Sequence, residues 1–383
     1  MVPMITFPDE LKQIAKTVKD FVENEVEPYA NRIEEEDQVP GHLLEKAKQL
    51  GLFGLGIPEE YGGLGLGVTG KCLVLENLGR THNGFVSIIG AHTGIGSTGI
   101  VRLGSRYLKE KYLPDLAAGN KLAAFALTEP EAGSDAAAIK TRAEKKGDRW
   151  ILNGMKHFIT NGPDADLFTV IAVTDPGKGV KGGFTAFAVE KSFPGLKVGA
   201  VDKKMGLRGS HTAQIFFEDC EVPEENVIGE VGNGYVSALK ILTEGRCTLA
   251  ARAYGSCQKL IELATEYMKQ RVQFGRPIAE NQGLQWMLAE MATETEVGRA
   301  FNYHVAKKLE NGEKAIKEAA MTKYYATETY NRVADRALQI FGGAGYMKET
   351  AVERYYRDAR ITKIYEGTNE IQKNIIASQL LGK

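Results

Sequence analysis

The spacing of apolar residues changes twice along this 383-residue chain, and no other feature constrains its fold as strongly. Over roughly the first 120 residues, apolar side chains recur at three- and four-residue steps, which predicts helices. From residue 121 to 231 the apolar runs are short and rich in β-branched and aromatic residues. They end at Gly, Pro or Asp, which predicts strands. Helical spacing returns from about residue 232, in segments long enough for a four-helix bundle.

Helices are predicted at both ends of the chain, over residues 9–27, 40–51, 71–78, 85–103, 106–118, 236–270, 282–311, 313–340 and 367–380. Strands are predicted only between them, over residues 141–145, 150–153, 166–173, 184–189, 196–201 and 212–217. The first two strands flank Gly147-Asp148 and form a predicted hairpin. The fold class is therefore α+β and mostly α, with domains at 1–120, 121–231 and 232–383.

Composition excludes several kinds of partner. With 48 basic and 49 acidic residues, the chain offers no charge surplus for nucleic acid or an anionic membrane. Its four cysteines and six histidines show no metal-ligand spacing, so no metal is expected. No stretch approaches the roughly 20 uninterrupted apolar residues of a membrane span. The N-terminal segment has no signal-peptide or transit-peptide character. We therefore expect a soluble protein, cytoplasmic in a bacterium, or mitochondrial matrix if the chain is a processed eukaryotic one.

Two glycine patterns have the GxGxxG spacing of dinucleotide-binding loops, at residues 65–70 and 94–99. Neither follows a predicted strand, so the backbone N–H groups of these segments have no reason to converge on a pyrophosphate. We interpret both as loop and helix-packing glycines.

Five polar or glycine-containing motifs occur in a fixed order: Leu127–Asp135, Phe158–Gly162, Arg271–Gly275, Gln339–Gly343 and Ile364–Glu370. Taken singly, each also fits a structural explanation, such as a hydroxyl-rich turn, a core phenylalanine, a solvated arginine, or an acid in the first turn of a helix. Taken together, over essentially the whole chain, they closely resemble the acyl-CoA dehydrogenase family.

This resemblance implies an N-terminal helical domain, a central β-barrel and a C-terminal four-helix bundle that hold FAD between them. The residues carried over as FAD contacts are Phe125, Leu127, Thr128, Gly133, Ser134, Phe158, Thr160, Arg271, Gln273, Phe274, Gln282, Gln339, Ile340, Gly342, Gly343, Thr368 and Glu370. Phe158 departs from the family, because many relatives carry a tryptophan there. Arg271 and the Gln339–Gly343 segment are implied to reach the FAD of a neighbouring subunit, which favours a homotetramer.

Removing the α-proton of a thioester requires a positioned carboxylate whose pKa is raised by desolvation. The resemblance makes Glu366 this base. Some members place the base on a bundle helix immediately before an arginine; here that arginine is Arg246 and its predecessor is Gly245, so the alternative base is absent. The implied substrate contacts are Ser134, Thr243, Glu244, Gly245, Arg246, Tyr365 and Gly367. Ser378 stands where several relatives carry an arginine near CoA.

The expected reaction is the FAD-dependent conversion of an acyl-CoA to the trans-2-enoyl-CoA, with electrons passed to electron-transfer flavoprotein. This reaction belongs to fatty acid β-oxidation and lipid metabolism. Two alternatives stay open: an acyl-CoA oxidase, which uses oxygen to reoxidise the flavin, and a scaffold or assembly protein of low activity. The length of the acyl chain depends on packing and is not predicted.

Overall fold

The computed structural model describes residues 6–382. Met1–Ile5, which belong to the N-terminal segment discussed above, lie outside the described residues. The first part of the chain is helical: α1 (Asp9–Phe21), α2 (Ala30–Glu36), α3 (Gly41–Gln49), α4 (Val68–Leu78), α5 (Asn83–Ala91), α6 (Thr98–Leu103) and α7 (Arg106–Ala117). The predicted helix over residues 9–27 leaves α-geometry after Phe21, where a π-helical turn spans Val22–Val26.

A second π-helical turn, His92–Gly96, separates α5 from α6 within the segment predicted as one helix. The combined segment Asn83–Leu103 has the length and apolarity of a membrane span, but 72% of its most apolar window is buried inside the protein. This degree of burial is typical of a core helix. The turn contacts the sheet on one side and the long helix α8 (Gly234–Gln270) on the other. It therefore lies where the three parts of the fold meet.

The middle of the chain forms one eight-stranded sheet from β1 (Ala123–Ala126), β2 (Arg142–Lys146), β3 (Arg149–Thr160), β4 (Leu167–Val173), β5 (Phe184–Glu190), β6 (Leu196–Val201), β7 (Thr212–Pro223) and β8 (Val227–Ile228). The predicted hairpin is present, with Lys146 opposite Arg149 across its turn. Strands β3 and β7 are longer than predicted, because their paired register continues past irregularities after Leu152 and Lys156.

The C-terminal part packs α8 against α9 (Gln282–Glu310), α10 (Ile316–Phe341) and α11 (Ala351–Thr362), and α12 (Asn369–Leu381) packs against α10. A two-stranded hairpin, β9 (Val272–Gln273) and β10 (Arg276–Pro277), follows α8. Helix α11 was not predicted. Its buried face includes Val352, Tyr355 and Ala359, at the three- and four-residue steps of an amphipathic helix.

Candidate active site

Glu366 lies in the tight turn between α11 and α12. Its backbone has φ of 54°, which a residue with a side chain rarely adopts, and Gly367 follows with φ of 88°. Thr368 then begins α12, since its hydroxyl accepts a hydrogen bond from the N–H of Ile371 at 3.3 Å. Two consecutive left-handed residues and a capped helix hold Glu366 in one orientation.

A buried lysine from α10 holds the same turn. Lys323 Nζ donates to the carbonyl of Gly367 and to Oδ1 of Asn369, each at 2.9 Å. Gln372 Nε2 donates to the Gly367 carbonyl at 2.9 Å as well. Burial lowers the pKa of Lys323 to about 8, with the charge of Glu366 acting in the opposite direction. The turn is therefore fixed by polar side chains from two helices.

One oxygen of the Glu366 carboxylate lacks a hydrogen bond within the described residues. Among residues 6–382, Oε2 is shielded from solvent and has no hydrogen-bond partner. Burial raises the pKa of Glu366 above its ordinary value, while the charges of Arg252, Lys323 and Arg246 act to lower it. A shielded carboxylate with a free oxygen and a raised pKa is suited to accept a proton from a bound molecule.

Helix α8 comes close to this carboxylate at Gly245, which has no side chain. A Cβ atom added to Gly245 would lie 2.8 Å from Glu366 Oε2 and 3.1 Å from Ile95 Cγ2. A side chain at residue 245 would therefore lie beside the carboxylate of Glu366. Arg246, the next residue, is buried, and its Nε has no partner in the described part of the chain.

Glu244 faces another direction, as expected for a helical neighbour of Gly245. Its carboxylate forms ion pairs with the buried Lys71 and, at 2.9 Å, with Arg102. Burial lowers the pKa of Lys71 to about 8. This cluster borders a cavity of about 590 Å³ between α4, α6 and α8. Thr243, on the preceding position, bonds its hydroxyl to the Leu239 carbonyl at 2.7 Å.

The predicted cofactor residues of the sheet domain lie in β1, in the loop after it, and in the last part of β3. Phe125 lies in β1, and the carbonyl of Thr128 accepts a hydrogen bond from the N–H of His157 at 2.8 Å, which joins the two segments. The Leu127 carbonyl accepts from the buried Lys156 at 3.0 Å. Gly133 and Ser134 are exposed in the loop that follows.

Phe158 lies at an irregularity of β3 between Lys156 and Ile159, with φ of 57°. It is 63% exposed and stacks on His157 at 3.8 Å between ring centroids. A bulge of this kind redirects a side chain out of the sheet. The alternative interpretation of Phe158 as a core residue is therefore excluded, and Thr160 ends the same strand.

The remaining predicted cofactor residues lie at the ends of the bundle helices. Tyr267 near the end of α8 stacks on Phe341 at the end of α10, with ring centroids 4.1 Å apart, so the Arg271 and Gln339 motifs share one end of the bundle. The residues exposed there are Arg271, Gln273, Phe274, Gln282, Gln339, Gly342 and Gly343. Ile340 is the exception, since its side chain belongs to the bundle core. Glu370 is exposed in the first turn of α12.

These residues fit FAD. A flavin ring requires an aromatic or apolar face and hydrogen-bonding partners, which exposed Phe158 and the hydroxyls of Thr128 and Thr160 supply. Its pyrophosphate requires open backbone and a cation. Nothing lies within 4 Å of a Cβ placed on Gly133, Gly342 or Gly343. Arg271 adds an exposed guanidinium.

Sequence reasoning missed three cationic contributors to the site: Lys323, Arg252 and Lys71. Each lies on a helix whose spacing was recognised, but the apolar pattern does not say which cation faces inward. Arg252 is seven residues beyond Gly245 on α8, which places both on one helix face. That spacing was the one feature of the sequence that could have indicated Arg252 as a site residue.

Three family models match this chain in order. They are the acyl-CoA dehydrogenase N-terminal domain over residues 8–120, the middle domain over 124–220 and the C-terminal domain over 232–381. The chain is 45% identical to an acyl-CoA dehydrogenase of Bacillus subtilis, over 97% of this chain and 98% of that protein. It is 43% identical to the acryloyl-CoA reductase (NADH) of Anaerotignum propionicum, over 97% and 94% respectively.

Solved structures agree with these matches. Butyryl-CoA dehydrogenase from Megasphaera elsdenii has a TM-score of 0.95 at 38% identity, with 99% of this chain and 100% of that chain covered. A chain from work on the electron transferring flavoprotein of Acidaminococcus fermentans has a TM-score of 0.96 at 40% identity, covering 99% and 100%. An acyl-CoA dehydrogenase from Bacillus anthracis complexed with FAD has a TM-score of 0.91 at 40% identity, covering 98% and 69%. The chain belongs to the acyl-CoA dehydrogenase family and is a flavoprotein oxidoreductase that uses FAD and acts on acyl-CoA.

Proposed function

We propose that this protein removes the C2 proton and a C3 hydride from a saturated acyl-CoA, giving the trans-2-enoyl-CoA. The observation that carries the proposal is the free Oε2 of Glu366, shielded from solvent and directed at the point that a side chain at Gly245 would occupy. A general base has to reach the proton it abstracts, so we place C2 of the bound thioester beside this carboxylate.

The same residue offers a hydrogen-bond donor. In the described part of the chain, the backbone N–H of Glu366 has no acceptor, so it is available to the thioester carbonyl. Such a donor stabilises the negative charge that develops on that oxygen as the proton leaves. Glu366 thus supplies a base through its side chain and an oxyanion donor through its backbone.

Positive charges around the turn limit how far the pKa of Glu366 rises, so that it can ionise and act as a base. Burial raises the pKa of the Glu366 carboxyl group, which favours its protonated form. Arg252, Lys323 and Arg246 oppose that effect, while Lys323 also holds the turn through the Gly367 carbonyl. Thr128, Ser134, Phe158 and Thr160 would hold FAD, which when bound would supply the acceptor for the hydride that leaves C3.

We further propose a homotetramer and electron-transfer flavoprotein as the electron acceptor. The exposed group at the end of α8 and α10, including Phe274 at 100% exposure, supports a partner subunit that completes the cofactor site. The similarity to a chain from work on an electron transferring flavoprotein supports the acceptor.

The test is anaerobic mixing of the FAD-loaded protein with a panel of acyl-CoA thioesters. We expect bleaching of the flavin absorbance with at least one saturated thioester. Glu366→Gln should keep FAD and bind the thioester but lose at least ~10²-fold in bleaching rate, since a general base contributes about that much. Near-normal bleaching by this variant would reject the role of Glu366.

The same experiment separates the alternatives. Rapid oxygen consumption with acyl-CoA would indicate an oxidase, and no response to any thioester would favour a scaffold. The acryloyl-CoA reductase relative makes the reverse reaction a second candidate, because the same base can return a proton to C2. Oxidation of the reduced flavin by enoyl-CoA, without bleaching by acyl-CoA, would identify that direction.

A further inference from the structure

Arg252 lies on the same face of α8 as Gly245, two helical turns further along. Seven residues of α-helix correspond to a rise of about 10.5 Å and to almost two full rotations. If C2 of a thioester lies beside Gly245, an acyl group that follows this helix face runs toward Arg252.

Two neighbouring segments, the turn that carries Tyr365 and helix α5, confine the guanidinium of Arg252. Its Nη2 donates to the hydroxyl of Tyr365, the residue before the proposed base, and its Cζ lies 5.8 Å from the centre of the Tyr365 ring. Its Nη1 lies 2.8 Å from where a Cβ of Gly90 on α5 would be. Only glycine at position 90 leaves room for the guanidinium in this place.

The guanidinium of Arg252 has no ion-pair partner in the part of the chain that the structure describes. Between residues 6 and 382, Arg252 forms no ion pair within 4 Å, and neither does Arg246 or Lys323. Glu366 is the one carboxylate that all three act on. A partly buried guanidinium is stabilised by an anionic, planar partner that it can bind through two N–H groups. The site thus has three cations around one carboxylate, and Arg252 is left without an ion-pair partner in the described residues.

We propose that Arg252 binds the far end of the acyl group, and that the preferred substrate carries a carboxylate there. The inference rests on the proposed function and adds its substrate class, a short ω-carboxyacyl-CoA. The guanidinium closes the helix face beyond Gly245, which limits the length of the acyl group. Tyr365 and Gly90 position Arg252, the former by its hydroxyl and the latter by its missing side chain.

The test compares two thioesters of equal length, glutaryl-CoA with a terminal carboxylate and valeryl-CoA without one. Binding to the FAD-loaded Glu366→Gln protein is measured by calorimetry, and bleaching is measured with otherwise unmodified protein. We expect glutaryl-CoA to bind at least ~10-fold more tightly than valeryl-CoA, because a charge-assisted bidentate contact is added. Arg252→Gln should abolish this preference, whereas Arg252→Lys should retain part of it.

Gly90→Ala tests the same contact without changing any charge. Its Cβ displaces the guanidinium and should reduce the preference for glutaryl-CoA while Arg252 is still present. Arg106→Gln, which removes an exposed arginine paired with Glu110 on α7, is the matched control and should leave the preference unchanged.

Equal affinity for the two thioesters, or equal losses for both in Arg252→Gln, would overturn the proposal and leave Arg252 as a residue that tunes the charge of Glu366. A calorimetric preference without any bleaching would support the Arg252 assignment while rejecting the proposed reaction. The experiment therefore distinguishes a failure of the Arg252 proposal from a failure of the proposed reaction.

Discussion

Gly245→Ala tests directly whether residue 245 and Glu366 converge on one reacting atom. The added Cβ would lie 2.8 Å from Glu366 Oε2, whereas ordinary contacts begin at about 3.4 Å. Ile95 Cγ2 would lie 3.1 Å from the same Cβ, which is also tighter than an ordinary contact. Because α8 cannot move without disturbing the bundle core, the carboxylate has to retreat by about 0.6 Å.

The size of the effect follows from that displacement. Misplacing a catalytic group by about 1 Å costs about 10²-fold in rate, so a shift of about 0.6 Å should cost roughly 10-fold in the bleaching rate. Stability should change little, since the retreating group is a side chain in a partly open site and the substituted helix position gains the propensity of Ala over Gly, worth about 1 kcal/mol.

The assay is anaerobic flavin bleaching in a double-mutant cycle with Glu366→Gly. The loss caused by Gly245→Ala should be present with Glu366 and absent without it, because no carboxylate is then displaced. Thermal unfolding of each variant with bound FAD serves as the control for folding. Equal losses in both backgrounds would show that the methyl group acts on substrate or helix packing, and would refute the convergence of the two residues.

Three further results are expected. Glu366→Gly combined with Gly245→Glu should bleach faster than Glu366→Gly alone, since the moved carboxylate starts at the same point; no gain in rate would contradict this. The bleaching rate should fall as pH decreases through the pKa of Glu366, with a midpoint above the 4.5 of an ordinary glutamate, because only the ionised base accepts a proton. Lys156→Met should lower the free energy of unfolding by about 3–5 kcal/mol in urea titrations, since Glu129, 2.8 Å away, loses its buried partner. Adding Glu129→Gln to Lys156→Met should restore much of the lost free energy of unfolding. If the single and the double variant were equally stable, the Lys156–Glu129 ion pair would not explain the loss.

The order of helices and strands was predictable because helix and strand periods are local properties of the chain. The hairpin around Gly147 is an example, since its turn residues and alternating strands lie next to each other in sequence. Helix α11 was missed for the opposite reason. Its charged residues obscure the apolar stripe, and they are tolerated there because Arg354 pairs with Glu27 and Arg357 with Glu34, at 2.8 and 2.6 Å. Partners more than 300 residues away cannot be read from local spacing.

The residues of the site likewise fall into those that were predictable from the sequence and those that were not. Glu366 was predicted as the base from a motif in which the candidate residue and its flanking residues are contiguous. Arg252 and Lys323 were not predicted, because their approach to Glu366 depends on the rotation of α8 and α10 about their axes. Helical spacing predicts which residues share a face, as for Gly245 and Arg252, but the contact between two helices decides which face looks into the site.

Backbone strain offers an independent indication of where function lies. Within residues 6–382, seven residues other than glycine have positive φ, and three of them are predicted site residues: Phe158 at 57°, Phe274 at 52° and Glu366 at 54°. This conformation costs roughly 1–2 kcal/mol for a residue with a side chain, so folding alone favours glycine at such positions. At Glu366 two unfavourable features coincide, since its left-handed backbone adds to a shielded oxygen without a partner. Their combined cost is explained if this position is kept for the proton that the carboxylate removes.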